Sequence, residues 1–179
     1  MLKLTIASIE IYDEIKNEFT TTKEQTLQLE HSLVSLSKWE SRFKKPFLSK
    51  EQKTDEELRY YVKCMTTTQN VDDNVYLAIS SSDMKKIMNY IDDSMTATTV
   101  SNRKKNSGRD IITAEIIYYW MITLNIPFEC QKWHLNRLLT LISVCDIKSS
   151  SGKKMSRSEI MRQNSAVNAM RRQRMRSRG

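Results

Sequence analysis

Cys130 and His134 lie four residues apart, and on a helix that spacing turns both side chains to one face. A thiol and an imidazole so placed suit two chemistries, a pair of metal ligands or a nucleophile with its base. Neither set is completed nearby. Cys145 lies far along the same segment, His31 belongs to another, and no CxxC occurs. A metal needs three or four donors, and an acyl-transfer nucleophile needs an orienting third group and an oxyanion hole. The expectation is therefore a core thiol and a partly buried, hydrogen-bonded imidazole. The carboxylate runs Asp55-Glu56-Glu57, Asp72-Asp73 and Asp92-Asp93 are adjacent in sequence. They read as helix-start residues favoured by the macrodipole, not as a general acid/base pair. Trp39, Trp120 and Trp133, with Tyr118 and Tyr119, have faces for base stacking, but they sit in apolar stripes and read as core. There is no GxxxxGK[ST] and no GxGxxG phosphate loop. No catalytic residue, metal ligand or cofactor is implied, and the chain is not expected to be an enzyme.

The most specific feature is cationic. Residues 152–179 carry Lys153, Lys154, Arg157, Arg162, Arg171, Arg172, Arg174, Arg176 and Arg178 against Glu159 alone. That segment accounts for the whole net charge of +8, leaving 20 basic and 20 acidic groups of the 29 and 21 in the chain. The pI of about 9.4 thus describes a neutral body with a basic tail. Lys153, Lys154, Arg157, Arg171, Arg172, Arg174, Arg176 and Arg178 are the expected partner-binding residues. Phosphates, an anionic membrane surface or an acidic protein all suit them. A solvated helix end also accommodates arginines, but five in the eight residues 171–178 exceed what a cap needs.

Elements must position these groups. Leu2-Lys3-Leu4-Thr5-Ile6 alternates with period two, and Ile9, Ile11 and Leu27-Gln28-Leu29 continue the pattern. Two or three short strands are expected before residue 31, with a turn near Lys16-Asn17-Glu18. Helical spacing then takes over. Ser32 caps a helix through Leu33, Leu36, Trp39, Glu40 and Phe43, which Pro46 ends. Thr54 and Glu57 form a capping box for a helix through Leu58, Tyr61, Val62 and Met65. Asp72 or Asp73 starts a short helix over 75–79, and Ser82 or Asp83 another through Met84, Ile87, Met88 and Ile91. Segment 92–110 is polar and reads as a loop. Ile111–Leu124 is apolar on nearly every face, so it is expected to be enclosed on several sides. Asn125 closes it, and Pro127 opens a helix through Leu135, Leu138, Leu139, Ile142 and Cys145. The two make an expected antiparallel αα-hairpin. Ser156 and Glu159 form a second capping box for a basic terminal helix.

The chain has 179 residues, with glycine three times and proline twice, which argues against a turn-dense sandwich or barrel. Mean hydropathy is −0.55. Three distant cysteines and no leader-like apolar stretch after Met1 set a reduced cytoplasmic expectation. Ile111–Leu124 is too short for a membrane span of about 20 residues. The expected fold is α+β and mostly α: short N-terminal antiparallel strands, a helical bundle with a central αα-hairpin, and a basic C-terminal helix. The expected division is a globular domain at 1–148 and a basic tail, helical or partly disordered, at 149–179.

Two stretches and a short third carry a family likeness. The first runs from Leu29 to Ser41 and closes with Lys45-Pro46-Phe47-Leu48; the second runs from Thr113 to Lys148; the third is Lys153–Ile160. Together they resemble small proteins of tailed bacteriophages that are assigned as tail assembly chaperones of long-tailed phages. The resemblance implies a non-enzymatic assembly factor in the host cytoplasm. It would bind the helical tape-measure protein, and contact with the tail-tube protein and self-association stay open. No residue-level motif comes with it. The alternative is a nucleic-acid-binding or virion structural protein that uses the arginine-rich tail.

Overall fold

The alternating N-terminal residues pair as ribbons, and capped amphipathic segments pack beside them. The computed structural model describes residues 1–13, 18–100, 111–151 and 157–175. Strand β1 (Leu2–Ile6) pairs antiparallel with β4 (Gln25–Leu29), and β2 (Glu10–Asp13) with β3 (Glu18–Thr21). Leu2 stands opposite Leu29 and Glu10 opposite Thr21, so the two ladders share one register. Thr22 bridges them. Its N–H donates to the Ile9 carbonyl at 2.8 Å, and its hydroxyl oxygen accepts from the Ile9 N–H at 3.0 Å. Leu4, Ile6, Leu27 and Leu29 are buried while Lys3, Thr5 and Gln28 are exposed, the outcome of a period-two pattern on a one-sided ribbon. The turn expected at Lys16-Asn17 lies outside the described residues.

Among the described residues seven α-helices follow: α1 (Leu33–Phe43), α2 (Asp55–Met65), α3 (Asn74–Leu77), α4 (Ser81–Asp92), α5 (Ala114–Thr123), α6 (Leu135–Ser151) and α7 (Arg157–Met175). The architecture is α+β and mostly helical. Ser32 caps α1 with Ser35 as its partner: each hydroxyl accepts the other residue's N–H, at 3.3 and 2.9 Å. Helix α1 ends at Phe43, before Pro46, because Lys44 turns left-handed (φ 56°) and returns its N–H to the Glu40 carbonyl at 2.8 Å. Thr54 and Glu57 form the expected capping box on α2. Helix α4 starts earlier than expected, since Ser80 accepts the Asp83 N–H and serves as the cap.

Pro127 does not open the long helix. Its ψ of 139° is extended, so it starts a short 3-10 helix, Phe128–Lys132, and α6 begins at Leu135. Tertiary pairing sets that start: the Leu135 N–H donates to the His31 carbonyl at 2.7 Å. Asn125, with φ 53°, takes the left-handed turn that closes α5. Residues 93–100 form no helix or strand, and the rest of the expected loop, 101–110, lies outside the described residues.

Helix α1 is central. It packs on α2, α5 and the 3-10 helix, and Leu33, Leu36 and Trp39 are buried. The Trp39 indole N–H donates to the Glu57 carbonyl at 2.9 Å. The Phe47 ring meets Trp39 edge-on and stacks on Tyr61 with centroids 3.9 Å apart. Trp39 is therefore core. The chain divides into two compact units, Met1–Val144 and Cys145–Gly179. Among the described residues, no helix is long and apolar enough to cross a membrane.

Candidate functional site

Cys130 and His134 share no helix. Cys130 sits in the 3-10 helix and His134 precedes α6, so the four-residue spacing does not align them as one helical turn would. His134 belongs to a buried polar junction instead. Its Nε2–H donates to the Tyr90 carbonyl at 2.9 Å, because a carbonyl can only accept. Its ring lies edge-on to His31, 5.0 Å between centroids, and its buried Nδ1 has no hydrogen-bond partner among the described residues. The His31 Nδ1 is 2.6 Å from the Tyr61 hydroxyl. Burial, and then the adjacent His134, push the His31 pKa down to about 3. This junction joins the end of β4 to α2, α4 and the start of α6. Among the described residues, no three His, Cys, Asp or Glu side chains gather as a metal would require.

A second buried polar group binds elements together. Glu40 Oε1 accepts the Phe47 N–H at 2.8 Å and Oε2 accepts the Ala114 N–H at 2.7 Å. It thereby caps α5 from α1, since Thr113 makes no side-chain cap. Burial raises the Glu40 pKa above the ordinary carboxylate value, with the two N–H donors opposing. A tertiary cap of this kind has no local signature, and the sequence shows Glu40 only as a polar residue within an apolar stripe.

Two open depressions lie elsewhere. One, of about 490 Å³, is lined by Ser37, Lys38, Ser41, Tyr60, Lys63 and Cys64. Burial pushes the Cys64 thiol up to about 11, so it holds no thiolate at neutral pH, and Lys63 is paired with Asp73 at 2.7 Å. The other, of about 260 Å³, includes Arg59. That guanidinium is bonded to Asp55 and to the carbonyls of Tyr76, Leu77 and Ile79 at the end of α3. Neither brings a nucleophile and a base together.

The surface that stands out is apolar. Ile117 and Met121 of α5 are fully buried, but Tyr119 and Ile122 are 63% and 60% exposed. Ile111, before the helix, and Phe128, after it, are also exposed. Enclosure on several sides is thus corrected: α5 packs against α1 along one face, and its other apolar face lies open. Tyr118 ties α5 to the 3-10 helix. Its hydroxyl donates to Gln131 Oε1 at 2.9 Å, and its ring lies 6.5 Å from Phe128. Glu115 and Glu129 are also exposed.

Of the expected partner-binding residues, Arg157, Arg171, Arg172 and Arg174 lie on α7, where Arg171 is exposed. Lys153, Lys154, Arg176 and Arg178 lie outside the described residues, as does the Ser156 cap. Comparison with known protein families, curated protein sequences and solved structures returns no match.

Proposed function

We propose that this protein is a non-enzymatic assembly factor of the phage tail-assembly-chaperone kind, which binds the tape-measure protein stoichiometrically in the cytoplasm of the infected cell. One observation carries the reading: Tyr119 and Ile122 on α5, with Ile111 before it and Phe128 after it, are large apolar side chains left exposed on a folded unit. Exposed apolar patches with polar margins are interaction sites, and aromatic anchors dominate their binding energy. A long helix with an apolar stripe fits such a patch by laying i, i+3, i+4 and i+7 side chains along it. Stoichiometric cover of this kind keeps an assembly intermediate soluble without bond-making chemistry.

Co-expression with a tape-measure fragment tests the proposal. The expected result is a soluble complex that survives size-exclusion chromatography. Replacing Tyr119 and Ile122 together by Ser should abolish it while leaving circular dichroism unchanged. A tape-measure fragment whose solubility and elution are the same with and without the wild-type chain overturns the reading.

A further inference from the structure

Helix α7 is cationic without being amphipathic. It runs from Arg157 to Met175, roughly 28 Å at 1.5 Å per residue, and each of its described side chains is exposed. Met161 and Met170 are 67% and 71% exposed and stand about 180° apart around the axis at 100° per residue. Ile160, Val167 and Met170 fall within about 80° of one another, but Gln163 and Asn164 interrupt that line, so the helix has a thin, broken apolar face and not a continuous apolar seam. A helix that docks in a protein groove needs such a seam, and so does one that lies in a membrane surface. Charge is what α7 has to offer.

That charge is concentrated and arginine-borne. Arg162, Arg171, Arg172 and Arg174 lie on the helix with Glu159 as its only acidic residue. Arg171, Arg172 and Arg174 occupy positions spread over roughly 160° of the circumference. Guanidinium forks match phosphate oxygens in geometry and are weakly hydrated. Duplex DNA supplies one such charge per roughly 1.7 Å of axis, and its major groove admits an α-helix with charge on several sides. The deep, narrow major groove of duplex RNA does not.

We propose that α7 binds the phosphate backbone of duplex DNA without sequence preference. This property is separate from the exposed apolar side chains of α5, and the Tyr119→Ser/Ile122→Ser variant keeps it.

Fluorescence anisotropy of a labelled 20-bp duplex, titrated with the full chain at 50 to 200 mM NaCl, tests the proposal. Two unrelated duplex sequences should bind alike, with affinity falling steeply as salt rises, at a log–log slope of about −0.9 per phosphate contacted. The triple variant R171Q/R172Q/R174Q should bind at least tenfold more weakly at 50 mM salt, with a slope shallower by about 2.7 for three lost contacts. The charge-preserving R171K/R172K/R174K should keep the wild-type salt slope and bind more tightly than the glutamine variant, which separates charge from any effect on folding. Absence of duplex binding at 50 mM salt overturns the proposal. So does a glutamine variant indistinguishable from wild type, equal or tighter binding to a 20-bp RNA duplex, or capture by phosphatidylglycerol vesicles in place of DNA.

Discussion

Two buried polar side chains convert solution conditions into stability. His31 is held neutral by its surroundings, with a pKa of about 3 against an ordinary value near 6.5. The unfolded chain takes up a proton below pH 6.5 that the fold refuses until about pH 3. Stability is therefore whole above pH 6.5 and is lost progressively as pH falls between those two values. Urea unfolding at pH 6 and pH 5 should differ by about 1 kcal/mol on this account, and His31→Gln should flatten that dependence. Equal slopes in wild type and variant would mean that the folded protein accepts the proton. Glu40 acts through its two accepted N–H groups. Glu40→Ala leaves both donors buried without a partner, and chemical denaturation should show a loss of about 3 kcal/mol.

Helix α5 illustrates what periodicity can and cannot say. A segment apolar all round is ordinarily enclosed, yet here one face meets α1 and the other meets solvent. The chain reads the same in both cases, because hydrophobicity states an affinity for burial and not the presence of a partner. The two faces should respond differently to substitution. Ile117→Ala should cost about 2–5 kcal/mol by opening a core cavity. Tyr119→Ser should change stability by less than about 0.5 kcal/mol in thermal or urea unfolding. A large loss at Tyr119 would mean that its ring is part of the core. Two starts set by local chemistry were legible, since the Thr54–Glu57 box and the Ser32 cap are both where spacing puts them; the Ser80 cap of α4, equally local, was placed too late because Ser82 and Asp83 offer competing caps. The start of α6 was not, because the His31 carbonyl that receives the Leu135 N–H comes from a residue a hundred positions earlier.

Charge is distributed unevenly along the chain. The residues before 152 hold 20 basic and 20 acidic groups, so the fold carries little self-repulsion, while the cationic excess lies at the C-terminal end. Neutralising Arg171, Arg172 and Arg174 should leave the melting temperature of the globular unit unchanged within about 1 °C, because α7 buries none of its described side chains. A drop of several degrees would show that α7 supports the fold. The class of the fold, the alternating N-terminal strands, the capped helices and this asymmetry of charge all follow from composition and short-range spacing, which act within a few residues of their cause. The use of Glu40 as a distant helix cap, the shared burial of His31 and His134, the separation of Cys130 from His134 and the open face of α5 do not. Each depends on which segments meet in space, and a local pattern holds no information about residues brought alongside it from elsewhere in the chain.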